Sequence, residues 1–243
     1  MFDLSLTTFL VISIAGVVTG IINGVVGGGS LVSYLALVTS GVPPALAAST
    51  NTVGVLSGNP SALIQPFLNK QIQFRAWIFF ALATSLGSLL GGVLLITLSD
   101  KIFEAIVPLL LIVSGVSVWI QPKRKNSYSR LTLPLLFASG IYNGYFGPGQ
   151  GILNLSILYR GTPLEIRSLV ILKNYIITAS NLTVSILFIS TQQVEWIAIP
   201  LLLVSVGLGG WLSQSVAGRL SETKIRVLLS TLAGIAAAYF VAF

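Results

Sequence analysis

Apolar runs alternate with short polar or glycine-containing breaks along the whole chain, and their pattern occurs twice. In the first half the runs cover residues 5–26, 29–40, 44–68, 76–98 and 102–121. In the second they cover 131–147, 150–160, 164–190, 194–218 and 223–243. A helix needs about 20 residues, roughly 17–25, to cross the hydrocarbon core of a bilayer. The long runs therefore read as transmembrane helices, and the short ones, 29–40 and 150–160, as broken or re-entrant elements. The fold class predicted is an all-α polytopic membrane protein, each half with four long transmembrane helices and one short broken helix.

Composition supports a membrane protein. Only 8% of the 243 residues are charged and 54% are hydrophobic, whereas a soluble domain carries about 25% charged residues. Mean hydropathy is +0.94. Too few charges remain to cover a water-facing surface, which excludes a soluble enzyme or a nucleic-acid binder. The net charge of +7 then reads as basic cytoplasmic loops. With no Cys, no His and Met1 as the one methionine, the usual thiol, imidazole and thioether chemistry is missing, and no metal or cofactor is expected. The N-terminal run has Asp3 and no Lys or Arg, a poor leader peptide, so it is read as part of the mature fold.

The repeat is explicit in the residues. Gly20-Ile-Ile-Asn-Gly-Val-Val-Gly-Gly-Gly29 and Gly140-Ile-Tyr-Asn-Gly-Tyr-Phe-Gly-Pro-Gly149 match at a constant offset, as do Gly41-x-Pro43 and Gly161-x-Pro163. Residues 1–121 and 131–243 are the predicted repeats, joined by a basic linker, 122–130. If each half crosses the membrane an odd number of times, the halves are inverted. Lys70, Arg75, Lys123, Arg124, Lys125, Arg130, Arg160, Arg167, Lys173, Arg219, Lys224 and Arg226 then fall at or near one face, leaving only Lys101 on the other. The positive-inside tendency favours this arrangement, with the linker cytoplasmic and both termini outside. Trp77, Trp119 and Trp196 sit at segment ends, where an aromatic belt is expected. Small residues such as Gly16, Gly20 and Gly24, Gly87 and Gly91, and Gly140 and Gly144 recur at the spacing of close helix contacts.

Candidate chemistry collects at the two glycine clusters. A broken helix in each of two inverted repeats is the architecture in which secondary transporters place a site near the membrane midplane. A glycine turn leading into a short helix also aims N–H groups and a positive dipole end at one spot, which suits an anion. Asparagines nearby need partners that lipid cannot supply, while single Ser and Thr residues bond their own helix backbone. Asn59-Pro60 should interrupt a further helix. Lys173 lies inside an apolar run and either faces a cavity or reaches back to the interface along its stem. All six carboxylates, Asp3, Asp100, Glu104, Glu165, Glu195 and Glu222, lie at or near segment ends. A buried proton relay is therefore missing, and uniport, exchange or movement of an anion with its own proton is expected.

At the two glycine clusters, with Ala47-Ala-Ser-Thr-Asn51 and Lys173-Asn174, the chain resembles the sulfite exporter TauE/SafE family over nearly its whole length. It departs from the family pattern at Pro148 and Gln150, inside the second cluster. The resemblance implies an inner- or plasma-membrane transporter of small sulfur-containing anions such as sulfite, thiosulfate or organosulfonates. An anion channel, or a carrier of another small anion such as a carboxylate, is the alternative. The expected site comprises Asn23, Gly27, Gly28, Gly29, Ser30 and Asn51 from the first half. Asn143, Gly147, Gly149, Gln150, Gly151, Lys173 and Asn174 complete it from the second. The expected partners are a small anionic substrate and the lipid bilayer, with no nucleic acid; the oligomeric state is left open.

Overall fold

A computed structural model describes residues 5–25, 27–58, 74–117, 119, 129–216 and 222–242. Residues 122–128 of the linker, Asn59-Pro60, Lys70 and Arg219 lie outside the described residues, as do the side chains of Arg75 and Arg167. Ten α-helices are described: α1 (Leu6–Val25), α2 (Ser30–Thr39), α3 (Pro44–Gly54), α4 (Phe74–Thr97), α5 (Asp100–Ser117), α6 (Thr132–Tyr145), α7 (Gln150–Gly161), α8 (Ile166–Ser190), α9 (Ala198–Val216) and α10 (Glu222–Ala242). A 3-10 turn, Val55–Gly58, follows α3, and no strand occurs among the described residues.

Four helical stretches are long and apolar enough to cross a bilayer: Leu6–Gly24, Trp77–Thr97, Ser168–Ser190 and Thr223–Val241. Two of these stretches lie in each half, so among the described residues the expected four long helices per half are met in part. Helix α6 has only 14 residues because Phe146 and Gly147 end it. Helix α3 stops at Gly54, inside the run expected to reach residue 68. The reason lies in packing against α9. A Cβ on Gly54 would lie 2.5 Å from Leu202 Cβ, and one on Gly210 would lie 3.2 Å from Gly58 Cα and closer still to Gly58 O. The turn thus sits almost backbone to backbone on α9.

The helices of the two halves interlock. Helix α4 packs along α6 and α1 along α9; α4 also meets α8, as α9 meets α3; α5 pairs with α10; α1–α2 matches α6–α7, and α2–α3 matches α7–α8. Exchanging α1–α5 for α6–α10 leaves this set of pairs unchanged. Glycines allow the closest crossings. In α4 and α6, Gly87 and Gly91 face the backbone of Phe137, Ile141 and Tyr145, while Gly140 and Gly144 face that of Thr84, Ser88 and Gly92. In α1, Gly16, Gly20 and Gly24 meet Ser205, Val206, Gly210 and Ser213 of α9. In a bilayer, where lipid tails are as apolar as leucine, close backbone approach is the main gain from association.

One sequence expectation is corrected by packing. Trp77 is buried in a core with Phe80, Leu136, Leu158, Leu169, Leu172 and Ile176, its ring 5.8 Å from Tyr175. It therefore does not join an interfacial belt. Trp119 and Trp196, by contrast, are about half exposed and donate Nε1 to Ser230 Oγ and Gln192 Oε1. Lys173 is 4% exposed and lies inside the helical array.

Candidate functional site

Both breaks turn through left-handed backbone. Gly27 and Gly147, equivalent in the repeat, have φ of 98° and 94°, a conformation that costs an L-residue roughly 1–2 kcal/mol. The next left-handed residue is Gly28 in the first half but Gly149 in the second. Pro148 explains the shift, because its ring holds φ near −65° and passes the turn on by one residue. Substituting Gly147 with Ala should lower stability by about 1–2 kcal/mol, read as a fall in the thermal unfolding midpoint in detergent.

The breaks meet each other. A Cβ on Gly151 would lie 3.6 Å from Gly28 N and 3.7 Å from Gly27 Cα. One on Gly27 would lie 3.5 Å from Lys173 Nζ. The ammonium thus stands beside the first-half break, although its Cα belongs to the second half.

Around this point lies a cavity with about 80 Å³ of water-accessible space. One water needs only about 10–15 Å³ on that measure, so the space takes several waters or one small polyatomic ion. Asn23, Gly27, Gly28, Ser30, Asn51, Asn143, Gly147, Gln150, Gly151, Lys173 and Asn174 line it. Of the thirteen residues expected from sequence, only Gly29 and Gly149 are absent, and both are packing positions. A Cβ on Gly29 would lie 2.6 Å from Thr19 O, and one on Gly149 would strike Ser114.

The expected site did not include Thr52, Val55, Leu56, Gly58, Ile177, Thr178 and Asn181, which also line the cavity, although Thr52, Thr178 and Asn181 stand out in the sequence as polar positions in apolar runs. Helical spacing carries most of them. Lys173, Asn174, Ile177, Thr178 and Asn181 fall at i, i+1, i+4, i+5 and i+8 on one face of α8. In the first half Asn51 and Thr52, at the end of α3, and Val55 and Leu56, in the 3-10 turn after it, show the first four of those spacings.

The polar lining consists mainly of side chains. Much of the expected N–H cradle is already occupied: Gly27 N–H donates to Ile22 O, Gly29 N–H to Asn23 Oδ1, Val32 N–H to Gly29 O, Gln150 N–H to Gly147 O and Ile152 N–H to Gly149 O. Short turn bonds of this kind tighten a helix start and consume its orphan donors. With Asn23 Oδ1 engaged, that residue presents its Nδ2 donor edge. Asn51 ties α3 to α2, donating Nδ2 to Ser30 O at 3.1 Å and accepting from Ser33 Oγ at 2.6 Å. Asn143 donates Nδ2 to Asn181 Oδ1 at 2.8 Å and to Ser88 Oγ at 3.2 Å, joining α6 to α8 and α4.

Gln150 differs from these. It is 2% exposed, and neither Nε2 nor Oε1 has a hydrogen-bond partner among the described residues. A buried amide without partners costs about 1–3 kcal/mol. Among the described residues no carboxylate lines the cavity, and Lys173 is the one Lys or Arg that does. Replacing Gln150 with the similarly sized, apolar Met should therefore raise stability by about 1–3 kcal/mol, measured by thermal unfolding, while weakening any activity that uses the cavity.

These features define a class: an integral, multi-pass, all-helical membrane protein with a small polar cavity where two broken helices meet. The sequence comparisons then supply the family. The description "Sulfite exporter TauE/SafE" matches residues 12–240, and the chain belongs to that family. It is 31% identical over 156 residues to a Haemophilus influenzae protein described as "Probable membrane transporter protein", covering 61% of each chain. It is 28% identical over 158 residues to a Sinorhizobium protein, "Probable membrane transporter protein ORF9", covering 62% of this chain and 60% of the relative. An Escherichia coli K12 protein, "Probable membrane transporter protein YfcA", is 28% identical over 148 residues, covering 58% of this chain and 55% of its own. The matched stretch thus spans about 55–61% of the length of these relatives. No solved structure matches the chain significantly.

Proposed function

We propose that this protein is a secondary transporter, in the exporting direction, of a small sulfur-containing anion such as sulfite, thiosulfate or an organosulfonate. The observation that carries the reading is the ammonium of Lys173 buried beside the Gly27 break, in a cavity lined by amides and by no described carboxylate. A buried cation ordinarily has a compensating anion, and here a bound cargo would supply it. Gln150, with both polar atoms unpartnered among the described residues, adds a group whose hydrogen bonds a ligand would complete. Family membership and the names of the relatives favour membrane transport over catalysis.

In this reading residues 1–121 and 131–243 are inverted repeats, the linker is cytoplasmic, both termini are outside and the bilayer is the bacterial inner membrane. Alternating access comes from rocking one repeat against the other around the cavity.

The test is uptake of radiolabelled sulfite, thiosulfate and methanesulfonate into proteoliposomes, against empty vesicles and vesicles preloaded with unlabelled anion. Saturable uptake accelerated by preloading is expected. Flux without saturation or counterflow would indicate a channel instead. No uptake of any sulfur anion by correctly inserted protein would remove the substrate assignment.

A further inference from the structure

The cavity draws its charge from one half only. Lys173 of α8 enters it, whereas the described lining residues of the first half, Asn23, Ser30, Asn51 and Thr52 among them, carry no charge. The other polar side chains lining it, Asn23, Asn143, Gln150, Asn174 and Asn181 among them, are neutral amides or hydroxyls. Amides stabilise an anion through oriented dipoles but neutralise none of its charge. A monoanion beside Lys173 makes a neutral pair inside the membrane. A dianion leaves one net negative charge there, and an uncharged molecule leaves the ammonium uncompensated; both are costly away from water.

We infer that the cavity selects its cargo by charge number and takes singly charged anions, with Lys173 as the residue that sets this count. The inference rests on the reading of the cavity as an anion site and narrows it. Within the sulfur anions, hydrogensulfite and simple organosulfonates satisfy the count, whereas thiosulfate and sulfate carry one charge too many. The small cavity, about 80 Å³ of water-accessible space, limits the organic part of a sulfonate to a short chain.

Sulfate, methanesulfonate and dimethyl sulfone provide the test. All three are tetrahedral and nearly equal in size, and exchange of oxygen for methyl changes the charge from two to one to none. Equilibrium binding of radiolabelled methanesulfonate to the purified protein would be measured at constant ionic strength, with the other two as competitors. Saturable binding is expected, with sulfate and dimethyl sulfone each weaker competitors than unlabelled methanesulfonate by about tenfold or more, a difference of one factor of ten per 1.4 kcal/mol. Lys173→Arg should keep that order. Lys173→Gln should lose methanesulfonate binding while leaving dimethyl sulfone no worse a ligand. Should the Gln variant fail to fold, the wild-type competition decides by itself. Equal competition by sulfate overturns the charge limit and leaves the anion site standing. Equal competition by dimethyl sulfone, or no methanesulfonate binding, overturns both.

Discussion

Lys173→Gln is expected to reduce anion transport by about a hundredfold or more while leaving the protein at least as stable as the parent. The two halves of this expectation have one cause. The ammonium is 4% exposed, beside Gly27, with no described carboxylate lining the cavity around it. Removing one partner of a buried ion pair costs about 3–5 kcal/mol, and here the partner lost to the cargo is the lysine. Without a cargo no described carboxylate of the cavity lining balances the same lysine, so its neutral replacement relieves a desolvation cost. Glutamine keeps part of the stem and two donors, which limits the effect to charge. Transport in proteoliposomes and thermal unfolding in detergent read the two quantities separately. Unchanged transport would remove Lys173 from the site; a large fall in stability would make it a structural residue.

The second large effect falls on the fold. Gly144→Val should destabilise the protein by about 3 kcal/mol or more, at or beyond the upper end of overpacking costs. The helix crossing leaves no room. A Cβ on Gly144 would lie 2.6 Å from Gly92 N and nearer still to Ser88 O, and one on Gly140 would lie 3.0 Å from Ser88 N. These are backbone atoms of α4, which cannot rotate aside as a side chain does, so α4 and α6 must separate. Their separation also pulls Ser88 from Asn143, coupling the crossing to the cavity. On the scale of soluble domains the thermal midpoint falls by roughly 6–12 °C. Gly234→Ala is the matched control: nothing lies within 4 Å of its added Cβ, and Ala is the better helix former by about 1 kcal/mol. A midpoint for Gly144→Val equal to the control's would show that the crossing is looser than described.

Much of this molecule is legible before folding is considered. An apolar chain with 8% charged residues has no water-soluble solution, and each backbone N–H and C=O in lipid must be paired within its own segment. Helices follow from those constraints. The breaks are local as well: a left-handed turn at Gly27 and Gly147 is written in residues that alone accept it cheaply. Hence most of the expected lining residues, from Asn23 and Ser30 to Lys173 and Asn174, do surround one cavity.

What the sequence left undecided is which way each apolar run faces. In water, a helix reveals its buried side because the other side is polar. In a bilayer both the lipid-facing and the protein-facing sides are apolar, so Trp77 and Trp196, alike in position along their repeats, end in a buried core and on an exposed surface respectively. For the same reason Gly29 and Gly149, among the expected ligand contacts, belong to backbone packing against Thr19 and Ser114. Ile177, Thr178 and Asn181 join the cavity only once α8 is turned toward it. The interlocking of α4 with α6 and α1 with α9 sets those rotations. Local chemistry thus determined the helices and their breaks, while contacts between residues far apart in the chain determined what the polar groups meet.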